Sequence, residues 1–337
     1  MSNENEKFAD ANQLDPMQDL RFADTRAVST RTDAKSLIDT FRSSTATSPW
    51  TSLDRTKVAD RLSALVDEPR LLQQAWLNLC GPASFLLTWN WRDPVAFIKY
   101  ATTLFDTGQA NIGNLTIAPG ADLIAQDYPA MLQRMIDLST AKCPDLQPPL
   151  VAEQADWMIL GAIRNSTNVF WQGTWEGDPG QKLSGLTRPE EVTSWLQATG
   201  LYRQVSNEAN WATPKGIPHA TGLNLSPGTD IILLVNANLI NAANGSPMNG
   251  NWLLSQFPNH YIVLLTQIVQ NITTQDIQFV PWSWGAKLVS NRQSPVSQPP
   301  LPGATYDSST DSKCLSVPMQ AFADNYYGAI IATMPPQ

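Results

Sequence analysis

Residues that enzymes lean on are scarce in this chain of 337 residues, which has two histidines and three cysteines. Cys80, Cys143 and Cys314 are too few, and odd in number, to form a disulfide framework. With His219 and His260 they offer no ligand spacing for zinc, so no metal is expected. Positive charge is also short: 22 Lys and Arg against 30 Asp and Glu leave a net charge of −8. The basic footprint of a nucleic-acid binder is missing, and nucleic acid is excluded as a partner. Long apolar runs are missing too; the most apolar stretch, Ile231 to Val235, is far too short to span a bilayer. The opening MSNENEKFADANQLDP lacks a basic start followed by an apolar run, so a cleaved signal peptide is not expected. Cytoplasmic residence is the default, with secretion by a route that needs no cleaved signal as the other expectation. The chain has no Walker loop, dinucleotide fingerprint or G-x-S-x-G elbow, and no cofactor is expected.

Tryptophan, by contrast, is abundant, with 12 copies. Such a number fits either an aromatic platform in a cleft or plain core packing. Residues 1–48 are rich in Ser, Thr, Asp and Asn and read as a flexible arm, with a short helix over Asp33 to Phe41 at most. The first strong helical pattern starts at Ser52, with Val58, Leu62, Leu65 and Val66 on one face and Pro69 as the stop. CGPASFLLTWNW, from Cys80, reads as a buried helix. Asp93-Pro94 then caps another that ends near Gly108. Further helical patterns lie around Ala155 to Ile163 and Glu190 to Ala198. From about residue 216 the pattern changes to strands: Ile231 to Val235, Tyr261 to Thr266, Ile277 to Val280 and Gly328 to Thr333. The plan is therefore α+β: a flexible arm, then one domain over 49–337, its helical half at 49–215 and its antiparallel sheet half at 216–337.

Cys80 is the candidate nucleophile, because it opens an apolar helix whose free N–H groups and dipole stabilise a thiolate. Gly81 is expected to let a substrate backbone approach closely. Gln74, six residues earlier, offers a side-chain amide for a developing oxyanion, beside the nucleophile's own N–H. A thiol also needs a base. His260, at the head of the strand HYIVLL, is the candidate; His219, in a Gly/Pro-containing loop, is expected to be an ordinary surface residue.

The order Gln74, Cys80-Gly-Pro-Ala-Ser, then His260-Tyr-Ile-Val-Leu resembles the papain-like cysteine peptidase superfamily, in particular the bacterial branch with bacteriocin leader-processing peptidases. The resemblance rests on about 50 residues in two short blocks. It implies a papain-like fold, with a central nucleophile helix packed on an antiparallel sheet. It implies a cysteine peptidase or amidase that attacks an amide carbonyl through a thioester, with Cys80 as nucleophile, His260 as base and Gln74 in the oxyanion hole. A protein or peptide substrate follows, with peptidase, deamidase and transferase chemistry all open. Secretion as a bacterial effector is one setting that fits.

The chain departs from the family at the third position. Where the family carries Asn or Asp after the histidine, QFVPWSWG offers Val280 or Trp282, depending on the alignment. Gln278, Asp276 or a backbone carbonyl is left to orient the imidazole. Trp282 and Trp284 are expected to shield the pair and line the substrate site, or else to fill the core. The alternative function is a catalytically inactive papain-like binding module with a Trp-rich cleft.

Overall fold

The structure is a computed structural model that describes residues 27–142, 148–168, 173–243, 257–283, 286–287 and 315–336. It is a mixed α+β protein with antiparallel sheets. The first two helices, α1 (Arg31–Ser43) and α2 (Arg55–Asp67), begin at side-chain caps: Thr30 accepts from the Asp33 N–H, and Asp54 from the Lys57 N–H. A 3₁₀ turn at Pro69–Leu71 leads through a loop to α3 (Cys80–Arg92) and α4 (Pro94–Thr107). Asp93 caps α4 by accepting from the Ala96 N–H, Pro94 sits in its first turn, and Gly108 at φ +76° ends it in the left-handed region. A small hairpin follows, β1 (Ala110–Ile112) and β2 (Leu115–Ile117), then α5 (Ala121–Ile124), α6 (Tyr128–Lys142), α7 (Gln154–Thr167), α8 (Lys182–Gly185) and α9 (Pro189–Ala198). In α9 the Glu191 carboxylate accepts from the Arg188 N–H at 2.7 Å and so caps the first turn.

The rest is β3 (Gln204–Asn207), α10 (Gly216–Gly222), β4 (Thr229–Val235), α11 (Asn238–Ala243), β5 (His260–Leu264), β6 (Val269–Asn271), β7 (Asp276–Phe279), β8 (Pro281–Ser283), β9 (Ala286–Lys287), β10 (Leu315–Pro318), α12 (Met319–Asn325) and β11 (Tyr326–Thr333). A six-stranded antiparallel sheet runs β3-β11-β4-β5-β8-β9, and a three-stranded one runs β10-β7-β6. The large sheet is the middle layer. Along β4, Ile232 and Leu234 face the helical core while Ile231, Leu233 and Val235 face a second core. This is the period-two alternation of a strand covered on both sides. The first core holds α1–α4, α7 and α9; the second holds α12, Ile277 and Phe279 of β7, and Leu315 and Val317 of β10.

Three expectations are corrected. The helix read over Asp33 to Phe41 is present, as Arg31–Ser43, but it is not on a free arm: Ala34, Ile38 and Phe41 share one face and are buried, packed on α2 and α4. The boundary at 215/216 is not a structural divide: β3 lies before it and pairs with β11, the two edges sharing backbone hydrogen bonds from Gln204 to Asn207. The sheet half is also two sheets, with a core of its own behind the first. Among the described residues no helix is long and apolar enough to cross a membrane.

Candidate active site

α3 packs against β5, which brings Cys80 to the head of that strand. Unlike α1, α2 and α4, α3 has no side-chain cap, since its cap position is Leu79. The Cys80 sulfur lies 3.9 Å from the carbonyl of Asn259, and the N–H groups of Tyr261, Gly81 and Cys80 point to it. It therefore touches the backbone on both sides of His260. Burial pushes the thiol up to about 11, and those three N–H groups only partly offset the effect.

His260 is buried, and burial pulls its imidazole down to about 3. Its Nε2 lies 2.5 Å from Ser283 Oγ on the neighbouring strand β8. The register explains the pairing: Val263 opposes Trp282, so one step along Ser283 lies beside Ile262, on the face that His260 shares by alternation. Ser283 was missed in the sequence. Only the register of β5 on β8 brings it to His260, which residue order along the chain does not show.

Gln74 is buried, and its Oε1 has no hydrogen-bond partner among the described residues. Its loop, Gln73 to Leu79, contains two non-glycine residues in the left-handed region, Ala75 at φ +46° and Asn78 at φ +58°. Such conformations cost energy and persist where the surroundings enforce them.

Other expected site residues stand elsewhere. Gln278 is on β7 in the small sheet, opposite Val269 and Ser316, whereas the His260 side chain meets Ser283. Asp276 accepts from Ser316 Oγ in the same small sheet. Gly81 does not open space to a substrate. A Cβ there would lie 2.5 Å from Thr187 Cβ, so the missing side chain admits Thr187. Trp282 is core: it is 1% exposed and its indole N–H donates to the Arg70 carbonyl. Trp284 lies outside the described residues, as do Cys143 and Cys314. Trp50, Trp89, Trp91, Trp157, Trp175 and Trp195 are buried as well and pack in the core, whereas Trp76 and Trp211 are half-buried. His219 is not an idle surface residue: Nδ1 meets Tyr326 Oη at 2.8 Å and Nε2 meets Glu208 Oε2 at 3.0 Å.

Among the described residues no group of three or more His, Cys, Asp or Glu side chains converges to hold a metal ion. Cys80 thus heads α3 against the Asn259 carbonyl, His260 opens β5 with a hydroxyl partner on β8, and Gln74 is buried in the loop before α3. Comparison with protein-family models, with curated proteins and with solved structures gives no match.

Proposed function

We propose that the chain is a papain-like cysteine hydrolase that cleaves an amide bond of a peptide or protein through a thioester. The supporting observation is the meeting of α3 and β5: the Cys80 thiol lies against the backbone on both sides of His260, whose Nε2 is held by Ser283 on the next strand. Burial pushes the Cys80 thiol up and the His260 imidazole down, which favours the neutral form of each group at rest. His260 takes the thiol proton as sulfur bonds to the carbonyl carbon. The Gln74 amide and the Cys80 N–H stabilise the oxyanion, and the imidazolium returns its proton to the departing amine as the C–N bond breaks. Water activated by His260 then hydrolyses the thioester.

A second reading, a papain-like binding module without catalysis, is favoured by one observation. His260 shares a sheet face with Ile262 and Leu264, which belong to the second core, whereas Cys80 packs with the helical core. p-Nitrophenyl acetate separates the two, followed by peptide mass mapping of the acetyl adduct. Acetylation of Cys80 that is lost in Cys80→Ala and strongly slowed in His260→Ala and Ser283→Ala supports the hydrolase. A Cys80 that stays unmodified, or reacts equally fast without His260, supports the binding module.

A further inference from the structure

The oxyanion residue of the proposed reaction sits on a loop that its own sequence does not favour, so something must hold that loop. Arg61 on α2 and Asp156 on α7 do so from below. The Arg61 guanidinium donates to both carboxylate oxygens of Asp156, through Nε at 3.2 and 3.1 Å and through Nη2 at 2.6 Å. The same Nη2 donates to the Leu71 carbonyl at 2.6 Å, and Asp156 Oδ2 accepts from the Gln73 N–H at 3.3 Å. The pair thus grips the backbone on both sides of Leu72, immediately before Gln74. Gln73 carries the restraint forward, its Oε1 accepting from the N–H of Ala75, the first left-handed residue. Arg61 is held in turn by Glu153 at 2.9 Å.

Burying such a pair is costly. The Asp156 side chain is 0% exposed, and burial raises its carboxyl against the pull of Arg61. Apolar residues of similar volume often give equal or greater stability in such places, so stability alone is weak grounds for the pair. What the pair does uniquely is donate to one backbone group and accept from another, two residues apart. An apolar pair does neither.

We propose that Arg61 and Asp156 are positioning residues that hold the Gln74 carboxamide where an oxyanion forms. This rests on the hydrolase reading above. The Gln74 Oε1 is buried without a hydrogen-bond partner among the described residues, so the carboxamide is placed by its loop rather than by bonds of its oxygen, and the group that would meet an oxyanion is the Nε2 donor.

The test is a double-mutant cycle on the rate of Cys80 acetylation by p-nitrophenyl acetate. In that step the thiol proton passes to His260, the S–C bond forms and p-nitrophenolate leaves. Asp156→Asn keeps the side-chain shape and removes the charge. It should slow acetylation about 10- to 100-fold, the scale of a small misplacement. Gln74→Ala should slow it about 100-fold or more, as loss of one oxyanion donor does. In the Gln74→Ala background, Asp156→Asn should then change the rate by less than about twofold. Arg61→Lys, which keeps the charge and loses the fork, should repeat the pattern. Losses that multiply in the double mutants overturn the proposal. So does a circular dichroism spectrum of both variants unlike that of the parent, since a positioning role predicts a folded chain. A parent chain whose Cys80 does not acetylate removes the hydrolase reading and this proposal together, whereas multiplied losses remove the positioning role alone.

Discussion

Gly81→Ala tests whether the second residue of α3 serves packing or substrate. The new methyl carbon would meet Thr187 Cβ at 2.5 Å and both Thr187 Cγ2 and Oγ1 at 2.6 Å. Carbon atoms pack best at about 3.5–4.0 Å, so the overlap is roughly 1 Å against three atoms at once. Thr187 cannot step aside freely. It is buried, its carbonyl accepts from Tyr261 Oη at 2.9 Å, and its Oγ1 accepts from Arg164 at 3.3 Å. Overpacking of this kind costs about 1–3 kcal/mol. Loss of the Tyr261 hydrogen bond would add about 1 kcal/mol. Alanine's better helix propensity returns about 1 kcal/mol or less. The net expectation, from these contributions together, is a loss of about 1–3 kcal/mol in urea unfolding followed by circular dichroism. Thr187→Gly removes all three opposing atoms, so Gly81→Ala should cost almost nothing in that background. A Gly81→Ala chain within about 0.5 kcal/mol of the parent would refute the reasoning, as would an equal loss with and without Thr187. A substrate-facing glycine makes the opposite forecast: unchanged urea unfolding and slower Cys80 acylation.

The remaining expectations concern charge, protons and strain. Asp230 accepts from Arg92 at 2.8 and 2.6 Å and from Tyr202 Oη at 2.9 Å, joining the end of α3 to β4. Asp230→Ala removes the carboxylate that neutralises the buried guanidinium and should cost about 3–5 kcal/mol in urea unfolding; a loss below about 1 kcal/mol would contradict that. His260, at about 3 in the fold against 6.5 in the open chain, lets the unfolded state bind the extra proton between those values. Its contribution is whole above pH 6.5 and lost as pH falls toward 3, so His260→Gln should show the shallower stability loss from pH 7 to 4, and parallel curves would refute the burial account. The iodoacetamide profile of Cys80 should turn near pH 11 in the folded chain, with alkylation at pH 7 slower than in a free peptide; a break below pH 8 would contradict it. Ala75→Gly relieves a left-handed φ of +46° and should leave stability equal or up to about 1 kcal/mol higher by urea unfolding, whereas a clear loss would show that the methyl group packs for more than the strain.

Local chemistry made much of the secondary structure legible. Asp93-Pro94 and Gly108 bound α4 because an acceptor side chain, a ring-fixed φ and a missing Cβ each act within a residue or two. The apolar runs around Ile231, Tyr261, Ile277 and Gly328 lie in β4, β5, β7 and β11 for the same kind of reason. β3 was not legible. Its sequence, QVSN, is polar and half-exposed, and only pairing with β11 makes it a strand. The candidate site divides in the same way. Cys80 and His260 stand out by scarcity and context, but Ser283 is found only from the register of β5 on β8, a long-range fact. Gly81 pointed to a substrate because nothing in the sequence shows that a threonine from the α8–α9 connection comes to rest on it.

β11 lies between β3 and β4, though it follows both of them by a long stretch of chain. During synthesis on the ribosome, β4 and β5 can pair early, but the outer edge of β4 stays open until β11 emerges. That edge carries Ile231, Ile232 and Leu233. An unpaired apolar strand edge recruits other chains. Pairing strands so far apart in sequence is intrinsically slow and open to association, so β11 is the strand whose docking this topology makes costly.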